Sequence, residues 1–495
     1  MIKRILISLL VLLLLIAAAV TVNTLRQGSR QLDVRAVAPV TVDAPAAAGR
    51  LAAAIRLRTV SSHADPSENA QEFRKLHAQL EQQFPRIHAA LKRELVGEGD
   101  GANTLLFTWT GSDPAARPVA FLAHQDVVPI APGTEAAWGQ APFGGVIADG
   151  FVWGRGTWDN KGNLLAQMEA VEMLLAAGFK PRQTIYLVMG HDEEVGGLRG
   201  AALVAKLFKS RGVRLDWLLD EGLLITQGLL AGLDQPAALV GVAEKGSATL
   251  LLTLNTAPGH SSMPPPHTAI GIMSAALARV ENHQLPADIN GAAKQMFDVL
   301  APEMRGLNRV LLSNLWLFAP VVRSQLEKSP SSNAMLRTTT ALTIVQAGNR
   351  DNVLPGTASA AVNFRLLPGE TGASVAQHVR RTLGNDAIQI RPQEGNTEPS
   401  PVSSVSAPGY AFINRTVREL FPGTVVAPGL SIAASDSRHF LDIADNVYRF
   451  SPMRARPEDL QRFHGTDERV SIANYVELIQ FYHQLLRNAA TAPSP

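Results

Sequence analysis

The chain contains no cysteine. Disulfides, thiolate nucleophiles and cysteine-ligated zinc are therefore excluded, while the compartment stays open, because a disulfide-free protein can live anywhere. A long basic block is also absent, and 45 basic against 43 acidic residues leave a formal net charge of +2. That distribution does not point to a nucleic-acid partner. No internal repeat is visible. What remains is globular material: 46% hydrophobic and 18% charged residues, with 39 Gly and 31 Pro in 495 positions. This suffices for two or three domains around a large core. It is too apolar and too evenly charged for disorder.

One apolar run stands apart. Lys3 and Arg4 precede the uncharged stretch Ile5 to Val22. As a helix it spans about 27 Å, close to a ~30 Å hydrocarbon core. The positive residues lie ahead of the run, so they should stay cytoplasmic and place the bulk of the chain outside, periplasmic or extracellular. A cleaved signal peptide competes with this anchor, and would give a secreted protein. Ala17 and Ala19 offer a small-residue cleavage site, although the run is long for such a segment. A buried core helix fits less well, because no amphipathic pattern interrupts the run. Residues 1–25 are thus read as anchor or signal. Residues 26–45, with Pro39 and Pro45, read as a stalk.

Strands and helices then alternate. The pattern predicts a helix over 47–57, buried strands over 118–128, 184–190 and 215–219, and helices over 163–177 and 197–210. Such alternation argues for an α/β domain with a mostly parallel sheet. The pattern shifts near 244–246. Residues 247–256, 338–347 and 357–366 read as strands and 268–282 as a helix, with a long irregular Leu-rich segment at 286–336. This reads as an α+β unit over 244–369, inserted between two parts of one larger domain, 46–243 and 370–488. The last helix is expected over 472–486, and 489–495 as a disordered tail.

Five segments put acids or histidines where α/β domains place chemistry, at the C-terminal ends of strands. FLAHQDVVP (121–129) carries His124 and Asp126 two apart on one strand face, where the carboxylate can fix the imidazole tautomer. WGRGTWDNKGNLLAQMEA (153–170) carries Asp159 between glycines before a helix; alone, such an Asp reads as an N-cap. VMGHDEEVGG (188–197) runs a strand into His191, Asp192, Glu193 and Glu194. Adjacent acids repel and resist desolvation unless cations compensate, though a solvated loop is the plainer reading. LLDEG (218–222) carries Asp220 and Glu221, and FHGTDERV (463–470) carries His464. Together, two histidines and several carboxylates suit zinc, which accepts N and O ligands.

These segments, in this order, resemble the aminoacylase, carboxypeptidase S and glutamate carboxypeptidase family of two-zinc metallopeptidases, over roughly residues 45–488. The stretch EKGSATLLLTLNTAPGHSSMPPPHT (244–268) is similar to the carboxypeptidase S branch, which includes secreted enzymes that hydrolyse or form N-fatty-acyl amino acids. The resemblance implies an α/β zinc-peptidase domain with an inserted lid of the dimerisation type, and two Zn²⁺ per subunit, with Co²⁺ or Mn²⁺ as substitutes. His124 and Asp220 would bind one ion, Glu194 and His464 the other, and Asp159 would bridge them across a cis Asp159–Asn160 peptide. Asp126 would orient His124, and Glu193 would be the general base; His191, Asp192 and Glu221 would lie outside the site. In APGHSSMPP (257–265), His260 would polarise the scissile carbonyl. In NVLPGTASAAVNFR (352–365), Asn352 and Arg365 would hold the substrate carboxylate, which suits the planar fork of Arg. AASDSRHF (433–440) also matches, without a definite role. A single Gly259 precedes His260 where relatives often have two, so the loop shape can differ.

The implied activity is hydrolysis of an amide bond in a small peptide or N-acyl amino acid by a metal-activated water, releasing an amino acid with a free carboxylate. A two-zinc aminopeptidase is the enzymatic rival, opposed by the lid with His260 and Arg365. A non-catalytic anchored binding protein predicts the loss of a ligand or of the base, and none is missing. The partners expected are substrate, a membrane through the first helix and, through the lid, a second copy in a homodimer.

Overall fold

The computed structural model describes residues 1–490. Its main body is an eight-stranded mixed sheet in the order Lys92–Val96, Thr104–Trp109, Ile185–Gly190, Val119–His124, Leu215–Thr226, Ala444–Ala455, Ala237–Glu244, Val425–Ser431. The strands at its centre pair in parallel, Val119–His124 with both Ile185–Gly190 and Leu215–Thr226, while Thr104–Trp109 pairs antiparallel with Ile185–Gly190 and with the edge strand Lys92–Val96. Parallel strands are covered on both faces, which explains their near-continuous apolar text. One cover is the helix Lys161–Ala176, packed against Val119–His124, the helix Ala44–Ile55 and the last helix, Ile472–Ala490. It is buried on nearly every side, so it shows no amphipathic stripe. Its burial fixes the segment just before it, Asp159–Asn160.

A second, four-stranded antiparallel sheet takes the order Thr339–Ala347, Thr357–Leu366, Gly246–Asn255, Gln389–Pro392. Gly246–Asn255 alternates buried and open positions, as a sheet with one covered face should. The helix Ala269–Asn282, capped by the Thr268 hydroxyl accepting from the Gly271 amide, supplies part of that cover.

Four expectations are revised here. The second core does not stop at 369: Val375, Val379 and Leu383 of the helix Gly372–Leu383 belong to it, and Gln389–Pro392 pairs with Gly246–Asn255. The Leu-rich stretch 286–336 is not irregular but helical, over Gly291–Leu300, Gly306–Ser313, Leu315–Leu326 and Pro330–Leu336. Short helices, one with Pro320 inside it, blur the periodic signal. This stretch builds a separate core with Val425 and Ala427 of the main sheet's edge strand, not with the lid sheet. The stalk lies along the body: the Val37 amide donates to Glu419 O at 3.0 Å and Gln480 Nε2 to Val40 O at 3.0 Å. Ala489 and Ala490 belong to the last helix, and 491–495 fall outside the described residues.

Candidate active site

The five segments converge at the C-terminal ends of the central strands. His124 ends one strand, Glu193 and Glu194 form a short turn after the next, and Glu221 lies within Leu215–Thr226. Asp159 stands at the centre. Its Oδ1 is 3.0 Å from His124 Nε2, and its Oδ2 is 2.8 Å from His464 Nε2. His464 Nε2 is also 3.3 Å from Glu194 Oε2, and His124 Nε2 is 3.1 Å from Glu221 Oε1. Two overlapping groups result, His124 with Asp159 and Glu194, and His124 with Glu193 and Glu221, each with donor atoms within 4.8 Å of one another. The Asp159–Asn160 peptide is cis.

Asp126 serves as the hinge of the arrangement. Its carboxylate accepts the Glu193 amide at 3.2 Å, the Glu194 amide at 3.0 Å and the Ser61 hydroxyl at 2.5 Å, and lies 3.3 Å from His124 Nδ1. It thereby holds the turn that presents both glutamates and faces the ring nitrogen that His124 does not direct at Asp159.

The electrostatics express a crowd of acids. Burial, together with Asp436, Glu221 and Glu194, pushes the Glu193 carboxyl well above the ordinary range, against the pull of His124. Burial raises Glu221 to about 8. Burial opposes charging His124, yet Glu221, Asp126 and Asp159 hold its imidazole well above its usual value. Hydrogen bonds to Asp159 and Glu194 raise His464 to about 10. A buried Glu194 oxygen, Oε1, has no hydrogen-bond partner. Imidazoles, carboxylates and an unpaired buried oxygen form a donor set that fits divalent cations of the zinc, cobalt or manganese type.

Asp220, which the resemblance makes a metal ligand, is held by backbone amides. Its Oδ1 accepts the Glu221 amide at 2.9 Å and its Oδ2 the Ser437 amide at 2.8 Å, so both oxygens serve the backbone. Its neighbour Glu221, expected outside the site, faces His124 and Asn160 instead. Side chains alternate along a strand, so of two adjacent acids only one can point at a given face. His191 Nδ1 lies 2.6 Å from the Thr104 hydroxyl.

Two supports went unassigned in the sequence. Glu468 Oε1 accepts the amides of Gly156, Trp158 and Asp159 at 2.9, 2.9 and 3.1 Å, while its Oε2 pairs with Arg155 at 2.6 Å, all buried. It clamps the turn that carries Asp159. Asp436 of AASDSRHF lies against Gly190 and Gly197, where an added Cβ would come within 2.4 and 2.1 Å of its carboxylate. Both sit in segments the sequence singles out, but their partners lie hundreds of residues away.

The lid residues form a second group. His260 and Val353 are strand partners, and the Ser261 amide donates to Asn352 O at 3.1 Å, so His260 and Asn352 are neighbours. Arg365 is exposed on Thr357–Leu366, opposite Ser247 and Thr339. Among the described residues, no hydrogen bond or ion pair joins His260, Asn352 or Arg365 to the cluster around Asp159.

A mixed α/β sheet with imidazoles and carboxylates gathered at its strand ends, and a second antiparallel sheet inserted in the chain, defines a metallopeptidase architecture. The chain belongs to the peptidase family M20/M25/M40, which matches residues 120–488, and it is a metal-dependent enzyme that hydrolyses amide bonds. It is 41% identical to the N-fatty-acyl-amino acid synthase/hydrolase PM20D1 of Xenopus tropicalis, over 90% of this chain and 86% of that protein. It is 38% identical to a probable carboxypeptidase S-like 2 of Dictyostelium discoideum, over 98% and 93%. Among solved structures, the M20 metallo-carboxypeptidase Sso-CP2 of Sulfolobus solfataricus superposes with a TM-score of 0.66 at 16% identity, covering 91% of this chain and all (100%) of that one. Human carnosine dipeptidase 1 gives 0.61 at 16% identity, over 90% and 96%.

Proposed function

We propose that this protein is a two-zinc amidohydrolase that cleaves N-acyl amino acids, long-chain ones included, and releases the free amino acid. The convergence of His124, Asp159, Glu194, Glu221 and His464 beside Glu193 carries this reading. His124 and Glu221 would hold one ion and Glu194 and His464 the other, with Asp159, which lies against both histidines, as a ligand between them. Co²⁺ or Mn²⁺ can replace zinc in such a donor set. When bound, ions there would supply Lewis-acid chemistry, polarising the amide carbonyl and making a water more acidic. Glu193, next to both groups of donors, takes the proton from the attacking water and passes it to the leaving nitrogen. Asp126 positions His124 and the 193–194 turn.

His260, Asn352 and Arg365 act when the lid closes over substrate: His260 as donor to the developing oxyanion, Asn352 and Arg365 on the carboxylate. The relatives named for N-fatty-acyl amino acids support the substrate class. A homodimer through the exposed edge of the lid sheet, where Ile344 and Val345 are open, is part of this reading. The first helix, Ile2–Arg26, is long and apolar enough to cross a membrane, and we place it as an anchor with the enzyme outside the cytoplasm.

The test is a panel of N-acyl amino acids of increasing chain length beside dipeptides, assayed after chelation and zinc return, with Arg365→Ala in parallel. Turnover of acyl substrates that tracks zinc, and a KM raised by Arg365→Ala for carboxylates but not their amides, supports the reading. Cleavage confined to substrates with a free amino terminus would overturn it.

A further inference from the structure

The Leu-rich stretch carries an apolar strip that the catalytic reading leaves unused. Its helices Gly306–Ser313 and Leu315–Leu326 meet at Asn314, which is fully buried. Asn314 fastens this hairpin to the N-terminal helix Ile2–Arg26. Its Nδ2 donates to Thr24 Oγ1 at 2.8 Å and to Val20 O at 3.4 Å, and its Oδ1 accepts from Asn23 Nδ2 at 3.0 Å. Asn23 Nδ2 and Gln27 Nε2 also donate to Ser313 O, at 2.6 and 2.9 Å. Along the N-terminal helix the covered positions are Ile16, Val20, Asn23 and Thr24, one helical face. Ile16 and Val20 lie inside the uncharged run Ile5 to Val22. The hairpin therefore meets the helix at the end of that run, at Val20, and just beyond it, at Asn23, Thr24 and Gln27.

The hairpin's open side is apolar. Leu307, Trp316, Leu317 and Val321 are exposed, Trp316 to 63%. Trp316, Leu317, Pro320 and Val321 follow i, i+1, i+4 and i+5 spacing, which is one face of their helix. The next turn is polar and exposed, with Arg323, Ser324 and Gln325. The Trp316 indole Nε1 donates to Asn314 Oδ1 at 3.2 Å, the same oxygen that Asn23 reaches, so the ring stands at the junction with the N-terminal helix. An amphipathic ring at the end of an apolar strip is what membrane–water interfaces select.

We infer that residues 306–326 are a membrane-seated hairpin, with Trp316, Leu317 and Val321 set among lipid acyl chains beside the N-terminal helix. This rests on the anchored reading of that helix. The occupant is a lipid bilayer, because the strip continues the surface of a segment that itself matches the bilayer in length and apolarity. The same stretch packs on Val425 and Ala427 at the edge of the main sheet, so the catalytic body is held against the lipid surface by two elements instead of one.

Trp316 is its own probe. Of the six tryptophans, Trp109, Trp138, Trp153, Trp158 and Trp217 are buried. The full chain is reconstituted in phosphatidylcholine–phosphatidylglycerol vesicles, with and without lipids brominated on their acyl chains. The expected result is quenching by bromolipid of a fluorescence component that Trp316→Phe removes and that aqueous iodide does not reach. Quenching of that component by iodide and not by bromolipid overturns the inference. Quenching by neither also overturns it and points to a second copy covering the strip. Flotation of the same vesicles tests the anchor separately. Protein that floats with Trp316 unquenched by bromolipid sinks the hairpin alone, and protein that neither floats nor is quenched sinks both.

Discussion

Replacing Glu221 with Gln and, separately, Asp220 with Asn distinguishes two adjacent acids that the sequence presents as equals. Glu221 faces His124 at 3.1 Å, whereas Asp220 spends both oxygens on the amides of Glu221 and Ser437, at 2.9 and 2.8 Å. Changing a residue behind a metal ligand typically lowers metal affinity ~10–100-fold. A direct ligand should exceed that, so Glu221→Gln is expected to weaken one ion by more than ~100-fold, or ~2.7 kcal/mol. Asp220→Asn turns one acceptor into an amide group facing a buried N–H. One unsatisfied buried group costs ~1–3 kcal/mol of stability, while metal affinity should fall by no more than ~10–100-fold. The assay is metal content per chain after dialysis against graded chelator, with thermal unfolding of the same samples. If Asp220→Asn sheds an ion while Glu221→Gln retains both, the placement of Glu221 as a ligand is refuted.

Glu193→Gln should keep its metal and lower kcat by ~10²–10⁴-fold, the usual worth of a positioned general base; full turnover with metal bound would remove Glu193 from that role. Glu468→Ala strips a buried partner from Arg155 and an acceptor from the amides before Asp159, and breaking a buried pair typically costs ~3–5 kcal/mol. A melting temperature within a degree of the parent would show that the clamp is dispensable. In chelated protein, Glu221 at about 8 and His464 at about 10 bind protons more tightly folded than unfolded. Stability contributed this way is present at low pH and lost as pH rises, so the metal-free protein should melt progressively lower from pH 5 to 8. Zinc should abolish that slope; a metal-free melting temperature that climbs over this range contradicts the crowding of acids described above.

Much of the fold is local text. Buried strands such as Ile185–Gly190 and the alternating Gly246–Asn255 declare themselves because burial on two faces or one writes directly into residue order. The helices within 286–336 do not, because short segments carry few periods and Pro320 breaks one of them. At the site, the sequence marks His124, Asp159, Glu194 and His464 through the order of their segments, and the structure gathers them within hydrogen-bonding reach of one another.

The sequence by itself determined which chemistries were open, through its lack of cysteine and its five acid- and histidine-bearing segments, and it determined the apolar first helix. Only tertiary structure decided that Glu221 rather than Asp220 turns toward His124. It also decided that Glu468 braces Asp159 from 309 residues away, and that the Leu-rich helices lean on the first helix. The reason is geometric. Residue type and local periodicity are written along the chain, but the direction of a side chain and the identity of its distant partner are fixed only when the strands have set their register and the helices have packed.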